Sequence, residues 1–453
     1  MRLVTPEIEI DESDPFKNDK LSRKPFAESL LSLITNVEDN LVISLDAPWG
    51  DGKTTFVKMW QGFLKSNGVK SLYFDAFAND SFEDPFMGLV GSIDLLIEKE
   101  FSDKPTAMEK LNEFKDKAVR VGTRLLSWGA KVGIKAVTLN VIDSEQLKGI
   151  AEDIASDAGE SASKFVADKL NSYKEVLSAT EEFRKKLGEL AEEVHKEKQK
   201  PLVFIIDELD RCKPTYALEL IEKVKHLFSV KHIVFLLVMH TDQLEESVKS
   251  VYGQDIDARQ YLQKFINVEC TLPKYNKGPS ENDYVKYCRA LCDLHGLPSG
   301  DWIEAMWILA RLFKLSLRDL QRCFTTLTLF YVATAKNQFR EIYLLALLVI
   351  LKVKRPELFE QIKSKDISLD KLWKDLGFDQ MISGQEESWR EWMREVLEVC
   401  LLPESDFSRL DKETSAKKYW NHVEVRYHIH DRGDILPYHC EQIESFKFLP
   451  EKT

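Results

Sequence analysis

A glycine-bearing loop between an apolar run and a helix-compatible segment constrains this chain more than any other stretch. Residues 41–45 (LVISL) are apolar enough for a buried strand, and residues 47–54 read A-P-W-G-D-G-K-T. This loop differs from the phosphate-binding pattern G-x-x-x-x-G-K-[ST] at one position, where Ala47 replaces the first glycine. In such loops, main-chain N–H groups surround an anion at the positive end of a helix dipole. The stretch therefore predicts a strand, a phosphate loop and a helix.

The residues of this loop have separate expected parts in binding a nucleoside triphosphate. Gly50 and Gly52 can adopt positive φ angles and leave room for phosphate oxygens. Lys53 is expected to reach the β- and γ-phosphates, and the Thr54 hydroxyl to bind Mg²⁺. The predicted nucleotide-binding residues are Pro48, Trp49, Gly50, Asp51, Gly52, Lys53, Thr54 and Thr55. The alternative interpretation is a strand–turn–helix that contains G-K-T by chance.

A second motif supplies the acids that hydrolysis requires. Residues 201–206 (PLVFII) form a continuous apolar run of the kind that is buried on both faces of a parallel sheet, and Asp207 and Glu208 follow it. Asp207 is expected to hold Mg²⁺ through its water shell, and Glu208 to act as general base on the attacking water. The alternative is a pair of acids that only closes a strand. Arg211 is a candidate to reach the γ-phosphate of a neighbouring subunit or to pair with Asp210.

His240, Thr241 and Asp242 follow the next apolar run, residues 232–239 (HIVFLLVM). A sensor group that contacts the γ-phosphate or the attacking water is expected at that position. A capping or surface role for His240 is equally compatible with the sequence.

The order of the motifs predicts an α/β fold, in which a P-loop NTPase core with a parallel sheet carries a long helical insertion. Apolar residues recur every three or four positions from 147 to 194, which is typical of a narrow seam on a long helix or a hairpin bent near residues 157–160. The seam either packs on the protein itself or binds a partner, an effector protein or a second copy. The expected segments are a lead-in with a helix (1–34), the first part of the core (35–102), the insertion (103–200), the second part of the core (201–273) and a helical, lid-like C-terminal domain (274–453).

The composition argues against several other classes of protein. A formal net charge of −12 over 453 residues disfavours a protein that coats nucleic acid by general electrostatics. Seven scattered cysteines fit no disulfide framework and indicate a reducing compartment, so we expect a cytoplasmic protein without a signal peptide. The most apolar stretches do not suit a membrane span: residues 121–141 are interrupted by basic residues, and residues 342–353 are too short.

The last thirty or so residues are expected to be irregular or strand-like, because residues 422–430 (HVEVRYHIH) alternate like an edge strand. His428, His430, His439 and Cys440 lie within thirteen residues there and raise the possibility of a zinc site. Their spacing matches no usual tetrahedral ligand pattern, so the strand is the favoured interpretation.

Taken together, the motifs resemble the KAP family of P-loop NTPases over residues 20–330. The resemblance rests on five segments: G-D-G-K-T, F-D-A-F, D-E-L-D-R-C, FLLVMHTDQLE and YLQKFINVECTLP. It implies ATP binding with Mg²⁺, slow hydrolysis and a nucleotide-driven change of shape or assembly. Bacterial members of the family are often linked to exclusion of, or defence against, phages. The residues that carry over directly are Lys53, Thr54, Asp207 and Glu208.

The resemblance also implies a lid arginine and marks three departures. Residues 316–318 are similar to the family's helix-opening arginine motif, so Arg318 is the candidate that reads the γ-phosphate; a solvent-exposed helix arginine is the alternative. Ala47, the F-D-A-F segment and His240 differ from the family pattern, which has glycine, F-N-A-W and an acid at these positions. Many relatives carry transmembrane helices where this chain has its charged insertion.

Two functions of different class follow from these predictions. One is an ATP-driven switch, in which hydrolysis resets contacts between the core, the lid and the insertion. The other is an ATP-binding scaffold with little turnover, whose insertion and C-terminal domain recruit an effector. The chain lacks the [NT]-K-x-D motif with which GTPases read guanine, and this favours adenine.

Overall fold

A five-stranded parallel sheet organises the N-terminal part of the protein. The strands are Leu41–Asp46 (β1), Ser71–Asp75 (β2), Leu202–Asp207 (β3), Ile233–Met239 (β4) and Val268–Thr271 (β5). They are arranged in the order β2-β3-β4-β1-β5, and every pair is parallel. All carboxyl ends therefore open at one edge of the sheet, the edge at which open α/β sheets bind ligands.

The computed structural model describes most of the chain. The described residues are 3, 6, 8–37, 39–81, 84–132, 160–274, 283–298, 300–334, 339–380, 387–427 and 429–445.

The core and the insertion contain nine helices in the described residues up to 274. They are Lys24–Asn36 (α1), Lys53–Ser66 (α2), Ala76–Asn79 (α3), Pro85–Phe101 (α4), Pro105–Val132 (α5), Glu160–Lys198 (α6), Pro214–Lys223 (α7), Thr241–Tyr252 (α8) and Ala258–Gln263 (α9). The strand β2 ends at Asp75, whose side chain accepts a hydrogen bond from the Ala78 N–H and caps α3. The helix α7 continues as a π-helical turn, Val224–Phe228.

The insertion is a pair of antiparallel helices, α5 and α6. Ion pairs between them run in opposite directions along the two sequences, from Lys104–Glu197 through Lys110–Glu189 to Arg124–Glu175. The predicted seam is buried from residue 183 to 194, where its apolar side chains join a core with α4 and the sheet. Along these residues the seam packs on the protein itself; residues 133–159, which include part of the predicted seam and its expected bend, lie outside the described residues.

From residue 283 onward, every regular element among the described residues is helical. The α-helices are Asp283–His295 (α10), Asp301–Leu312 (α11), Leu317–Ala333 (α12), Ile342–Lys354 (α13), Pro356–Lys363 (α14), Leu369–Asp375 (α15), Glu387–Leu401 (α16), Glu404–Arg409 (α17), Ser415–Tyr427 (α18) and Ile435–Ser445 (α19). The predicted α/β fold with a parallel sheet and a helical C-terminal part is thereby confirmed.

Two apolar segments of the C-terminal part are explained by their packing. Residues 344–351 of α13 are all buried, so the apolar run 342–353 is a core helix surrounded by other helices. The edge strand expected over residues 422–430 is wrong up to residue 427, because these residues belong to α18. Val423 is buried while Val425 is 75% exposed, as a helix that packs on one face requires.

No helix within the described ranges is both long enough and apolar enough to span a membrane. Residues 133–141 of the apolar stretch 121–141 were not among those described.

Candidate nucleotide-binding site

The loop between β1 and α2 has the backbone geometry that the phosphate-loop pattern predicts. Gly52 caps α2 with φ 78° and ψ 34°, and Gly50 has φ 88°. Residues with a side chain rarely adopt these angles, so glycine is needed at both positions. The first main-chain N–H groups of α2 have no carbonyl in a preceding helical turn, and they form the positive end of the helix dipole. The loop therefore presents an anion site.

Ala47 fits the loop because its main chain extends the strand. Its N–H donates to the Met239 carbonyl at 3.2 Å, which continues the pairing of β1 with β4, and the residue is 1% exposed. The Lys53 ammonium lies 2.6 Å from the Ala47 carbonyl and is largely buried. Burial lowers the pKa of Lys53, with nearby acids opposing this shift. A buried ammonium group at this position favours the binding of an anion, whose negative charge would stabilise the charged form of Lys53.

The two acids after β3 lie beside the hydroxyl of Thr54. The Thr54 hydroxyl donates to Glu208 Oε1 at 3.2 Å. Asp207 is fully buried and accepts from the Tyr73 hydroxyl at 3.0 Å and from the Glu208 N–H at 2.8 Å. Burial raises the pKa of both carboxyl groups, and the neighbouring Asp207 raises that of Glu208 further.

This group of oxygens fits Mg²⁺. A hydroxyl and two carboxylates are hard oxygen ligands of the type that Mg²⁺ takes, often with water and phosphate completing its shell. The raised pKa values of Asp207 and Glu208 show that burial disfavours their charged forms, and a divalent cation would offset that cost. The structure thus brings together the predicted metal residues, Thr54 and Asp207.

Arg211 pairs with Glu208, whereas the sequence had raised a pair with Asp210. Its Nε lies 2.5 Å from Glu208 Oε2. Leu209–Arg211 form a short 3₁₀ turn, which brings the side chains of Glu208 and Arg211 toward each other. The Asp210 side chain faces the phosphate loop instead. There the Trp49 indole N–H donates to the Asp210 carboxylate.

His240 lies at the end of β4 and packs against the loop. Its ring is 5.8 Å from the Trp49 ring in an edge-on arrangement, and it precedes α8 as the N-cap residue. The helix start is held by Asp46, whose carboxylate accepts from the Thr241 N–H at 2.8 Å. The structure thus places His240 near the loop, with Nδ1 buried and without a hydrogen-bond partner among the described residues.

The helix α12 begins against the phosphate loop. The Arg318 N–H donates to the Gly50 carbonyl at 3.1 Å. Ser316 and Asp319 form a capping box at this helix start, with both bonds at 3.1 Å. A Cβ on Gly50 would lie only 2.7 Å from Ser316 Oγ, so glycine is also required for this close approach. The predicted lid arginine is therefore in contact with the loop through its main chain.

A cavity of about 700 Å³ connects these elements. The phosphate loop, Glu208, Arg211 and the start of α12 border it, so the structure brings the predicted catalytic residues to one cavity. Its remaining wall was not predicted: it comes from the N-terminal segment (residues 6 and 8–21), Arg23, α10 and α2. Apolar residues of this wall are Ile8, Leu21, Met59, Leu291 and Leu294.

One aromatic residue in the predicted lead-in (1–34) is a sequence signal for this unexpected wall. Phe16, in the N-terminal segment, is buried and packs on Phe56 and Phe63 of α2, with ring centroids 6.4 and 5.8 Å apart. Phe16 therefore anchors the N-terminal segment to α2 beside the cavity.

The histidines near the C-terminus do not form a metal cluster in the described residues, where no group of three or more His, Cys, Asp or Glu side chains is placed to hold a metal ion. His439 is fully buried, and burial lowers its pKa to about 3, so the ring is neutral. His430 is exposed, whereas His428 lies outside the described residues.

Comparison with known families agrees with this geometry. A family model described as the KAP family P-loop domain matches residues 23–333. The matched residues extend from the residue before α1 to the end of α12 and include the phosphate loop, the insertion and both acids. No curated protein matches the chain.

Proposed function

The chain belongs to the KAP family of P-loop NTPases, and from that premise we propose that it binds ATP with Mg²⁺ and hydrolyses it slowly as a molecular switch. The observation that carries the proposal is the shared cavity. The phosphate loop, the general-base candidate Glu208 and the start of the lid helix α12 all border one space of about 700 Å³.

The binding step follows from two kinds of residue that line the cavity. The N-terminus of α2 and the Lys53 ammonium attract the phosphates. Lys53 exchanges the Ala47 carbonyl for phosphate oxygens, which favour its charged form against burial. The apolar side chains of Ile8, Met59 and Leu291 offer a surface for a nucleobase.

The hydrolytic step depends on Glu208. Thr54 and, through water, Asp207 would hold Mg²⁺, which would supply positive charge to offset that of the phosphates. Glu208 then accepts a proton from the attacking water, for which its carboxylate must be free. In the structure this carboxylate is engaged by Thr54 and Arg211. Slow turnover follows, because Glu208 must exchange these partners before it can orient water.

The switching step follows from the contact between Arg318 and Gly50. The main-chain bond between them couples the lid helix to the phosphate loop. Phosphates that displace the Gly50 carbonyl, outside the part of the loop that Arg23 holds, therefore shift the start of α12. The Arg318 side chain, which borders the cavity, is the candidate to read the γ-phosphate. Arg211 can act on a neighbouring subunit only after it releases Glu208.

Substitution of Glu208 by Gln tests the catalytic assignment. We expect phosphate release to fall by about 10²- to 10⁴-fold, because the general base is lost while the shape is kept. ATP binding by the same variant should persist, and Lys53→Ala should weaken it. Glu12→Gln is the matched control, since the Glu12 side chain is 87% exposed and pairs with Lys65 in the last turn of α2, the helix that Lys53 begins. Unchanged phosphate release by Glu208→Gln would contradict the assignment.

One observation favours the scaffold alternative: Arg211 pairs with Glu208, and a general base held in this way supports little turnover. Under that alternative, Glu208→Gln loses the remaining turnover but keeps full function in cells. Under the switch, the variant stays in the ATP-bound state and function is lost. The comparison of turnover with cellular function by the same variant separates the two.

The wider role is also part of the proposal. All seven cysteines are free thiols, which supports a reducing compartment such as the cytoplasm. Exposed Val119 and Leu177 on the insertion helices offer apolar contacts for a second copy or an effector protein. A change of mass with Mg·ATP in mass photometry tests assembly. For the antiphage role, wild type but not Lys53→Ala should lower phage plating, and equal plating would contradict it.

A further inference from the structure

Arg23, at the start of α1, is a buried cation that contacts the phosphate loop through main-chain carbonyls. It is 5% exposed. Its guanidinium donates to the Asp51 carbonyl at 2.9 Å, to the Gly52 carbonyl at 3.4 Å and to the Pro273 carbonyl at 3.0 Å. The first two carbonyls belong to the loop, and the third lies just beyond β5.

These contacts determine which way the loop's N–H groups face. A trans peptide is planar, and its C=O and N–H point in opposite directions. Because the Asp51 carbonyl faces Arg23, the Gly52 N–H faces away from it. The Gly52 carbonyl also accepts from the Phe56 N–H of α2 at 3.0 Å, so the helix and Arg23 together turn the Lys53 N–H away. Both N–H groups lie at the N-terminus of α2, where a phosphate would be bound.

A second cation holds the same part of the loop from the same side of the fold. Lys274, one residue after Pro273, places its ammonium 3.0 Å from the Asp51 carboxylate, whose side chain is 4% exposed. The second half of the phosphate loop is therefore fixed to both the start of α1 and the chain that leaves β5. An arginine suits this position because its planar fork reaches three acceptors at once, whereas lysine offers a single ammonium.

We propose that Arg23 is a positioning residue for the nucleotide phosphates. By holding the carbonyls of Asp51 and Gly52, it keeps the N–H groups of Gly52 and Lys53 directed at the phosphate site before the nucleotide arrives. Arg23 acts through the loop, so the group that it positions is the main chain. The inference rests on the proposed nucleotide binding and adds the residue that pre-organises it.

The experiment compares Arg23→Met and Arg23→Lys with wild type in the full chain. The probes are Mg·ADP, for binding by calorimetry, and Mg·ATP, for turnover. We expect Arg23→Met to bind Mg·ADP about 10- to 100-fold more weakly, because two charge-assisted hydrogen bonds to the loop are lost. The KM for ATP should rise by a similar factor, while kcat changes by less than about threefold. The Arg23→Lys variant should have an affinity for Mg·ADP and a KM for ATP between those of wild type and Arg23→Met.

Arg259→Met is the matched control, because the Arg259 side chain is 65% exposed and pairs with the Glu269 side chain, whereas Arg23 is buried and bonds to loop carbonyls. If Arg23→Met does not fold, the Mg·ADP affinity and the KM for ATP of Arg23→Lys test the inference instead. A variant with a lower melting temperature but wild-type affinity and KM would overturn the inference, since Arg23 would then only hold α1. Failure of the wild type to bind Mg·ADP would overturn the proposed function as well, so the two failures are distinguishable.

Discussion

Substitution of Gly50 by Ala tests how closely the lid helix approaches the phosphate loop. Two costs follow from the structure. The φ of 88° is unfavourable for an L-residue, by about 1–2 kcal/mol. The new Cβ would lie 2.7 Å from Ser316 Oγ and 2.8 Å from the Arg318 Cβ, and relieving such overpacking costs about 1–3 kcal/mol. We expect the free energy of unfolding to fall by about 2–5 kcal/mol.

Gly377→Ala separates the two costs. Gly377 has φ 73°, and a Cβ there would meet nothing within 4 Å, so only the backbone cost of about 1–2 kcal/mol applies. Urea unfolding followed by circular dichroism measures both variants. In a Ser316→Gly background one close contact is absent, so Gly50→Ala should cost about 1 kcal/mol less. Equal losses for Gly50→Ala and Gly377→Ala, without coupling to Ser316, would refute the steric reasoning.

Three further predictions concern the core and the pH dependence. Leu347→Ala should lower the free energy of unfolding by about 2–5 kcal/mol, because the side chain is fully buried, whereas Val425→Ala at an exposed position should change it by less than about 0.5 kcal/mol; urea titrations compare them. Burial raises the pKa of Glu341 from 4.5 to about 7, so its contribution to stability is fully present below pH 4.5 and is lost as the pH rises to 7, by about 3 kcal/mol. Glu341→Gln should remove this component from the pH dependence of unfolding, and an unchanged dependence would contradict the assignment. Arg211 lowers the pKa of Glu208, so in Arg211→Ala the acidic limb of the profile of ATP hydrolysis against pH should move to higher pH; a shift to lower pH would contradict the role of Glu208 as base.

The parts of the site that could be predicted from the sequence are those encoded by adjacent residues. The phosphate loop needs glycines, a lysine and a threonine within a few positions, and the acids directly follow an apolar strand. Each pattern implies its own local geometry. The Thr54 hydroxyl and Glu208 lie 3.2 Å apart because both follow strands of one parallel sheet. Neither motif, however, predicts the order of these strands in the sheet.

The parts that could not be predicted depend on contacts between distant residues. Arg23 and the Pro273 carbonyl are 250 positions apart, and no periodic pattern marks either of them. The cavity wall from residues 6–21 is likewise formed by a segment without regular structure. The strand expected at residues 422–430 failed for a different reason. Alternating apolar residues over a few positions also fit one helical face, and here packing on the C-terminal core selects the helix.

The position of the insertion explains how nearly a hundred inserted residues can lie between the two halves of one site, Thr54 and Asp207. The strands β2 and β3 are neighbours in the sheet, with Ser71 paired with Val203. The chain leaves after β2 and returns to β3 through the antiparallel helices α5 and α6, so both ends of the insertion lie side by side. Its length can therefore change without moving Asp207 relative to Thr54, since loop closure costs grow only slowly with length. A long insertion and an intact catalytic site are thus compatible in this fold.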